Sequence, residues 1–246
     1  AKTVQAPYRA ERACFLAARA YEQVKVDVAY NRTDVRIIGV SAGVSYGPLG
    51  CTHTTMHDFA SMRALPNLTI LAPCDAVQTE YLTDLLCQFT GPVYMRMGRG
   101  DVPPVYEAGE KFEIGKIKTV CEGTDATIIA CGEMVAPAKK AAELLQAEGI
   151  SVRVLDCFTI QPMDTKTVEK ALRETRAVVT VEEHSTRGGL GEAVSHIAAE
   201  LRGSAPMRLL GLPEEVVIGK SQELFAYYGL TPEGISAAIK ERLERE

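Results

Sequence analysis

Residues 126–156 read ATIIACGEMVAPAKKAAELLQAEGISVRVLD, and this stretch decides the fold class. Its opening, 126–131, is apolar enough for a buried strand. The middle predicts a helix over about 134–148 that Gly149 ends, and 152–156 predicts a second strand. An apolar strand, a helix and another apolar strand are typical of a parallel sheet with helices on both faces.

The same alternation extends in both directions along the chain. Upstream, the pattern predicts strands at 35–40, 68–72 and 92–95, with helices at about 54–64 and 75–88. Downstream, it predicts a helix near 164–174, a strand at 177–181, a helix after the glycine turn 187–191, a strand at 207–210 and a terminal helix at 231–245. The Pro- and Gly-containing segment 100–118 interrupts the alternation and is typical of a linker. We therefore expect an α/β protein of two domains, each a mostly parallel sheet flanked by helices, with boundaries at 1–108 and 115–246.

The composition of the chain indicates which classes of partner and which cellular compartment to expect. The chain has 246 residues and a net charge of −5, with a pI near 5.6, so charge gives no reason to expect nucleic acid or a membrane surface as a partner. No apolar run is long enough for a membrane span. The seven cysteines are scattered without a C-x-x-C pair, which favours reduced thiols and the cytoplasm.

The loop from Ser41 to His53 is the most unusual stretch of the chain. It follows a predicted strand and is rich in glycine, which lets backbone approach a ligand closely. Loops at the carboxyl ends of parallel strands line the ligand crevice. His53 could serve there as a hydrogen-bond donor or proton carrier, or it could cap and pack the start of the next helix.

Other polar residues carry weaker signals. His57 stands at helical metal-ligand spacing from His53, but no third ligand is apparent, so no metal site is expected. Arg96 and Arg99 flank a predicted strand end, where each is either an anion clamp or a solvated charge. The glycine turn after His184 could hold a phosphate at a helix N-terminus, although tight strand-to-helix packing is the favoured interpretation.

Several ordered motifs resemble the transketolase family. The loop Gly47 to His53 is similar to the family pattern G-x-x-G-x-T-H. Further matching segments are 15–24, 62–67, 72–75, 93–99, 159–162 and 181–184 with its glycine turn. The resemblance extends from about residue 13 over nearly the whole chain. It identifies the chain as a C-terminal section, with a pyrimidine-binding domain followed by the transketolase C-terminal domain.

The resemblance implies a function and a set of partners. A split transketolase transfers a two-carbon ketol unit from a ketose, usually a sugar phosphate, to an aldose. Its thiamine diphosphate and Mg²⁺ or Ca²⁺ would be held mainly by an N-terminal partner subunit, and two copies of this chain would form a homodimer within a heterotetramer. By motif match, His53 would be catalytic, Phe15 would stack near the cofactor's aminopyrimidine ring, and Arg99 and Ser41 would bind substrate.

Three departures from the family pattern affect these expectations. The acidic residue that protonates the aminopyrimidine has no counterpart upstream of Phe15. Ser41 stands where many members have a phosphate-binding histidine, and Leu49 replaces an aspartate that reads a sugar hydroxyl. The pyrimidine-binding domain is therefore expected to be incomplete near residues 10–14, with 8–10 beginning its first helix and an unseen segment before Cys14. A ketose with a different anionic end is also consistent with these changes.

Two other kinds of function remain open at this point. A deoxyxylulose-phosphate synthase-like subunit or a two-oxoacid dehydrogenase beta-like subunit would share the same domain pair. A non-catalytic scaffold could keep the fold while losing the acid and the cofactor. The 93–99 strand and the split layout favour transketolase over the two enzyme alternatives, while the scaffold alternative stays open.

Overall fold

The computed structural model describes residues 7–244 of the chain. In this part of the chain the strands form two five-stranded sheets. The strands are β1 (Tyr8–Arg12), β2 (Arg36–Val40), β3 (Thr69–Leu71), β4 (Val93–Met97), β5 (Lys118–Cys121), β6 (Ala126–Ala130), β7 (Val152–Asp156), β8 (Thr159–Gln161), β9 (Ala177–Ser185) and β10 (Met207–Leu212).

Helices connect the strands and cover both sheets. They are α1 (Ala13–Leu16), α2 (Tyr21–Gln23), α3 (Asp58–Arg63), α4 (Ala76–Leu86), α5 (Val135–Ala147), α6 (Thr165–Glu174), α7 (Leu190–Glu200), α8 (Ser221–Tyr227) and α9 (Pro232–Glu244). A π-helical stretch (Val24–Tyr30) extends α2, and 3₁₀ turns occupy Gly47–Thr52 and Gly132–Met134. No helix in residues 7–244 combines the length and the apolar character that crossing a bilayer requires.

The first sheet has the order β1-β2-β4-β3-β8. Its first four strands are parallel, and β8 runs antiparallel to β3. Because β8 comes from the second half of the chain, the predicted boundary at 108–115 does not separate the two sheets completely. The second half of the chain contributes the short strand β8 to the first sheet, and the pairing of β8 with β3 connects the two halves.

The second sheet has the order β10-β9-β6-β7-β5. Its first four strands are parallel, and only β5, which the sequence pattern did not predict, is antiparallel. The strand β6 is buried at every position, as its apolar sequence predicts. The expected α/β fold of two mostly parallel sheets flanked by helices is therefore confirmed.

The first described strand corrects one prediction. Residues 8–10 do not begin a helix, because they belong to β1, which pairs in parallel with β2. The local sequence is polar and has no strand pattern, so the open edge of β2 decides its conformation. All five β1 side chains are exposed, and helix α1 begins at the next residue, Ala13. The expected incompleteness near residues 10–14 stays a prediction, and residues 1–6 lie outside the described part.

A buried arginine ties helix α4 to the first sheet. The side chain of Arg36 is fully buried. Its guanidinium donates to the carbonyl oxygens of Leu86 at 3.0 Å, Gly91 at 2.8 Å and Phe89, and it pairs with Asp34 at 2.8 Å. A cation at a helix C-terminus satisfies carbonyl groups that the helix leaves unpaired. Arg36 therefore fixes the end of α4 against β2.

Candidate active site

The candidate site lies where β2 and β4 end. After β2, Ser41 adopts a positive φ of 57°, a left-handed conformation that non-glycine residues adopt mainly at constrained or functional positions. The loop then closes on itself, since the N–H of Gly43 donates to Thr55 O at 3.1 Å and the N–H of Thr55 donates to Gly43 O at 2.8 Å. This closure holds the residues between them, including His53, over the strand ends.

His53 lies at the end of the 3₁₀ turn, between two aromatic rings. Its ring centroid is 5.4 Å from that of Phe15 and 5.9 Å from that of Tyr46, both in edge-to-face geometry. Its Nδ1 is 2.9 Å from the hydroxyl oxygen of Thr52. The ring is half-buried, so the aromatic neighbours and Thr52 fix its orientation while part of it stays open to a ligand.

Tyr46 connects the other candidate residues to His53. The guanidinium carbon of Arg99 lies 4.5 Å from the Tyr46 ring centroid, and that of Arg12 lies at 5.4 Å. A hydrogen bond from Arg12, the positive charge of Arg99 and a hydrogen bond with Ser41 lower the pKa of Tyr46. Phe15, Ser41, His53 and Arg99, all predicted from sequence, are thus brought into one cluster. Two arginines flank this cluster in a protein whose net charge is negative.

Arg96 differs from both interpretations that the sequence left open. It is neither solvated nor free to clamp an anion, because it is buried. Its Nε lies 3.3 Å from Asp58, its Nη2 donates to the backbone oxygen of Glu183 at 2.6 Å, and its guanidinium stacks on Phe59 at 4.6 Å. Arg96 therefore joins the two halves of the chain and does not line the site.

The glycine turn after His184 is occupied by a carboxylate of the protein itself. The two carboxylate oxygens of Glu182 accept the N–H groups of Leu190 and Gly191, both at 2.7 Å, at the start of α7. A side chain at Gly189 would overlap this carboxylate. Burial raises the pKa of Glu182 to about 7, and these hydrogen bonds oppose the rise. The turn is thus a packing and capping device, which disfavours the phosphate hypothesis.

The remaining histidines do not join the cluster. Burial lowers the pKa of His184 to about 4, so this fully buried ring is neutral at pH 7. His57 precedes α3 and is exposed. In the described residues, no group of three or more His, Cys, Asp or Glu side chains is placed to hold a metal ion.

Comparison with known families agrees with this architecture. Residues 2–104 match the model of the transketolase pyrimidine binding domain, and residues 115–235 match that of the transketolase C-terminal domain. The chain belongs to the transketolase family. The resemblance inferred from the motifs is therefore confirmed.

Individual relatives show which part of a transketolase this is. The chain is 48% identical over 235 residues to an apulose-4-phosphate transketolase subunit of Phocaeicola vulgatus, covering 95% of this chain and 75% of the relative. It is 34% identical to a 6-deoxy-6-sulfo-D-fructose transketolase subunit from a Clostridium species, covering 98% and 74%. A solved structure described as a split gene transketolase, inactive beta4 tetramer, superposes with a TM-score of 0.87 at 37% identity, covering 97% and 76%. The prediction of a C-terminal section of a split transketolase is confirmed.

The family uses thiamine diphosphate, and the residues around Phe15 fit one part of it. Phe15 opens onto a groove of about 410 Å³ whose apolar lining includes Leu16, Val24 and Ile37, which suits a planar heteroaromatic ring. The guanidinium of Arg19 lies 5.0 Å from the Phe15 ring centroid, on the same groove. The fit therefore extends to the ring, while the described residues provide no metal-holding cluster beside it.

Sequence reasoning missed four residues that the structure places at or beneath the cluster. They are Arg12, Tyr46, Glu133 and Glu183. Tyr46 had a usable signal in the sequence, since it lies inside the glycine-rich loop between Ser41 and His53. Arg12 was hidden because its strand was not predicted. The two glutamates come from the second half of the chain, and only tertiary structure brings them to these loops.

Proposed function

We propose that this chain is the C-terminal subunit of a split transketolase that transfers a two-carbon ketol unit from an anionic ketose to an aldose, together with an N-terminal subunit. The observation that carries the proposal is the position of His53, held between Phe15 and Tyr46 with the guanidinium of Arg99 stacked on Tyr46. One proton carrier, one aromatic surface and one anion-binding group thus share a single cluster.

Each residue has a role that its surroundings support. When bound, thiamine diphosphate would supply the carbanion chemistry. His53 would donate a hydrogen bond to the oxygen of the reacting sugar carbons and carry a proton to or from it. Phe15 would support the cofactor's ring. The N-terminal subunit would hold the diphosphate and Mg²⁺ or Ca²⁺.

The arginines beside Tyr46 support an anionic substrate. Arg99 presents its guanidinium at the end of β4, and Arg12 presents a second one on the same ring. A guanidinium pairs with phosphate or sulfonate oxygens through charge-assisted hydrogen bonds. Two relatives are named for ketoses with phosphate or sulfonate ends, which agrees with a ketose of this class. Ser41, which bonds to Tyr46, would complete the substrate contacts.

The open side of the first sheet supports a partner subunit. Strand β1 lies at the sheet edge with every side chain exposed, and the groove at Phe15 opens beside it. In α/β proteins such edges are normally covered. The solved neighbour is described as an inactive tetramer of one kind of subunit. A homodimer of this chain within a heterotetramer, active only with the partner, fits both facts.

Three further inferences accompany this function. We infer that the two domains run from 1 to 108 and from 115 to 246, with the first incomplete near residues 10–14. We also propose a cytoplasmic location, which is supported by the seven cysteines, since all are unpaired in the structure and suit a reducing compartment. Neither nucleic acid nor a membrane is expected as a partner of a chain with net charge −5.

The His53→Ala variant tests the proposal in the complex reconstituted with an N-terminal transketolase subunit. Loss of a positioned acid–base group should lower kcat by about 10²–10⁴-fold. Calorimetry should show thiamine diphosphate binding unchanged, because His53 contacts the reacting sugar and not the diphosphate. His57→Ala is the matched control, since His57 is exposed four residues away and should leave the rate unchanged.

Two results would contradict this proposal. If the reconstituted wild-type complex binds thiamine diphosphate but turns over no phosphorylated, sulfonated or neutral ketose, a non-catalytic scaffold becomes the better account. If His53→Ala weakens cofactor binding as much as the rate, His53 has a structural role and not the catalytic one.

A further inference from the structure

Two glutamates from the second half of the chain reach the two candidate substrate loops of the first half. Glu183 lies near the end of β9, and its Oε1 accepts the N–H of Val44 at 2.7 Å, inside the loop that carries Ser41 and His53. Glu133 lies in the 3₁₀ turn after β6, and its carboxyl packs against Gly98, where it is close enough to the backbone N–H of Arg99 for that group to lower its pKa. Because β6 and β9 are neighbours in the second sheet, their ends present both carboxyl groups together.

Glycines in the first half make room for these carboxyl groups. A side chain at Gly98 would overlap the carboxyl of Glu133, and one at Gly43 would overlap that of Glu183. Gly43 also has a positive φ of 61°. Each glutamate carboxyl therefore occupies space that is free only because the facing residue of the first half is a glycine, which has no Cβ. These are close-packed contacts between the two halves, not surface encounters.

Arg96 lies close to the two glutamates, and its Nη2 donates to the backbone oxygen of Glu183 at 2.6 Å. Together with them it lines a cavity of about 20 Å³ beneath the strand ends. Burial raises the pKa of Glu133, while the charge of Arg96 and the hydrogen bond from Arg99 oppose the rise. The pKa of Glu183 rises to about 8, chiefly through burial, with Glu133 and Asp58 adding to the rise and Arg96 opposing it. The two carboxyl groups and the guanidinium of Arg96 thus line one small space beneath the strand ends.

Arg99 is held differently at its two ends. The Glu133 carboxyl lies beside its backbone, next to Gly98, whereas its guanidinium lies over the Tyr46 ring at the exposed mouth of the site. The segment that follows Arg99 separates a cleft of about 850 Å³ from one of about 450 Å³, and Glu133 lines both. This segment has open space on both sides. Its position therefore depends on how Arg99, the residue from which it starts, is held.

We propose that Glu133 is a positioning residue for Arg99, which it places so that the site prefers anionic over neutral ketoses. The proposal rests on the function above, in which Arg99 binds the anionic end of the substrate. Without the Glu133 carboxyl, the backbone of Arg99 would lose its anchor and its guanidinium would shift with the segment. A misplacement of about 1 Å is enough to cost an order of magnitude or more in binding or rate.

The test uses the reconstituted complex and two measurements. Calorimetry gives the Kd of inorganic phosphate, and steady-state kinetics gives kcat and KM for fructose 6-phosphate and for fructose. For Glu133→Ala we expect the Kd of phosphate and the KM of fructose 6-phosphate to rise about 10-fold. The KM of fructose and kcat should stay within about twofold, because Arg99 does not contact the reacting carbons.

Matched variants separate positioning from general damage. Glu133→Gln keeps an acceptor for the Arg99 N–H, so it should bind phosphate within about threefold of wild type. Glu143→Ala removes another carboxylate that lines the same cleft but pairs with Lys140 at the surface, and it should behave as wild type. If the Glu133→Ala chain does not assemble with the N-terminal subunit, Gly98→Ala offers a second test. Its added Cβ would displace the Glu133 carboxyl, so it should weaken phosphate binding similarly.

The outcomes distinguish this proposal from the one on which it rests. If Arg99→Ala weakens phosphate binding but neither Glu133→Ala nor Gly98→Ala does, the positioning role is wrong and the anion role of Arg99 stands. Equal losses for fructose 6-phosphate and fructose would also overturn it, since they indicate general damage. If wild type binds no phosphate, or Arg99→Ala binds it unchanged, the anion site itself is overturned and the role of Glu133 with it.

Discussion

Asp156 should make the stability of this protein depend on pH in a direction opposite to that of ordinary paired carboxylates. It ends β7 and is fully buried. Its Oδ2 accepts hydrogen bonds from Gln78 at 2.7 Å and from the hydroxyl of Tyr106 at 2.8 Å. Burial raises the pKa of Asp156 to about 7, and these hydrogen bonds oppose the rise. The variant Asp156→Asn has a side chain of nearly the same shape and keeps an acceptor oxygen, but it cannot ionise.

The direction and the size of the change in stability follow from the pKa of Asp156 in the folded chain and in the unfolded chain. Between about pH 4 and pH 7 the folded chain holds a proton on Asp156 that the unfolded chain, with an ordinary carboxyl pKa near 3.8, has released. The free energy of unfolding therefore falls as pH rises through this window. A pKa difference of about three corresponds to a loss of at most about 4 kcal/mol. Asparagine cannot ionise and should remove this loss.

Urea unfolding of wild type and Asp156→Asn, measured between pH 4.5 and pH 8.5, checks the prediction. The stability of the variant relative to wild type should increase across this range, by about 2–4 kcal/mol, and level off above pH 7. Other titrating groups cancel in this difference because both proteins share them. Asp27→Asn, at an exposed position, should show no such trend. A stability difference between Asp156→Asn and wild type that stays constant over this pH range would show that Asp156 does not have a raised pKa in the folded protein.

Two other predictions concern Arg36 and Tyr46. Arg36→Met should lower the free energy of unfolding by about 3–5 kcal/mol in urea titrations, because it leaves buried carbonyl oxygens without a donor. The control Arg9→Met, at an exposed position, should change the free energy of unfolding little. Equal effects of the two variants would contradict the role given to Arg36. Tyr46→Phe keeps the ring under Arg99 and should change the KM of fructose 6-phosphate by less than about threefold, whereas Tyr46→Ala should raise it about 10-fold or more. If both Tyr46 variants raise the KM equally, the hydroxyl and not the ring matters.

Much of the fold could be predicted because local sequence carries it. The strands β6 and β7 and the helix between them lie within a residue or two of their predicted bounds. Buried parallel strands are apolar at nearly every position, and a helix of thirteen residues such as α5 shows its period clearly. The missed strands β1, β5 and β8 lie at sheet edges. Short edge strands have weak patterns, since a neighbouring strand and not their own sequence decides their conformation.

The candidate site divides in the same way. His53, Phe15, Ser41 and Arg99 could be named from the sequence because motifs and loops after strands mark them. The sequence does not show that these four residues form one cluster, since the cluster depends on how β2 and β4 lie beside each other in the sheet.

The sequence alone was enough to identify the class of fold, the family and a set of candidate substrate-binding residues. The burial of Arg96 and the contact of the Glu133 carboxyl with Gly98, next to Arg99, are visible only in the three-dimensional structure. Each of these depends on contacts between residues dozens of positions apart, and a one-dimensional pattern does not record which distant group satisfies a buried charge.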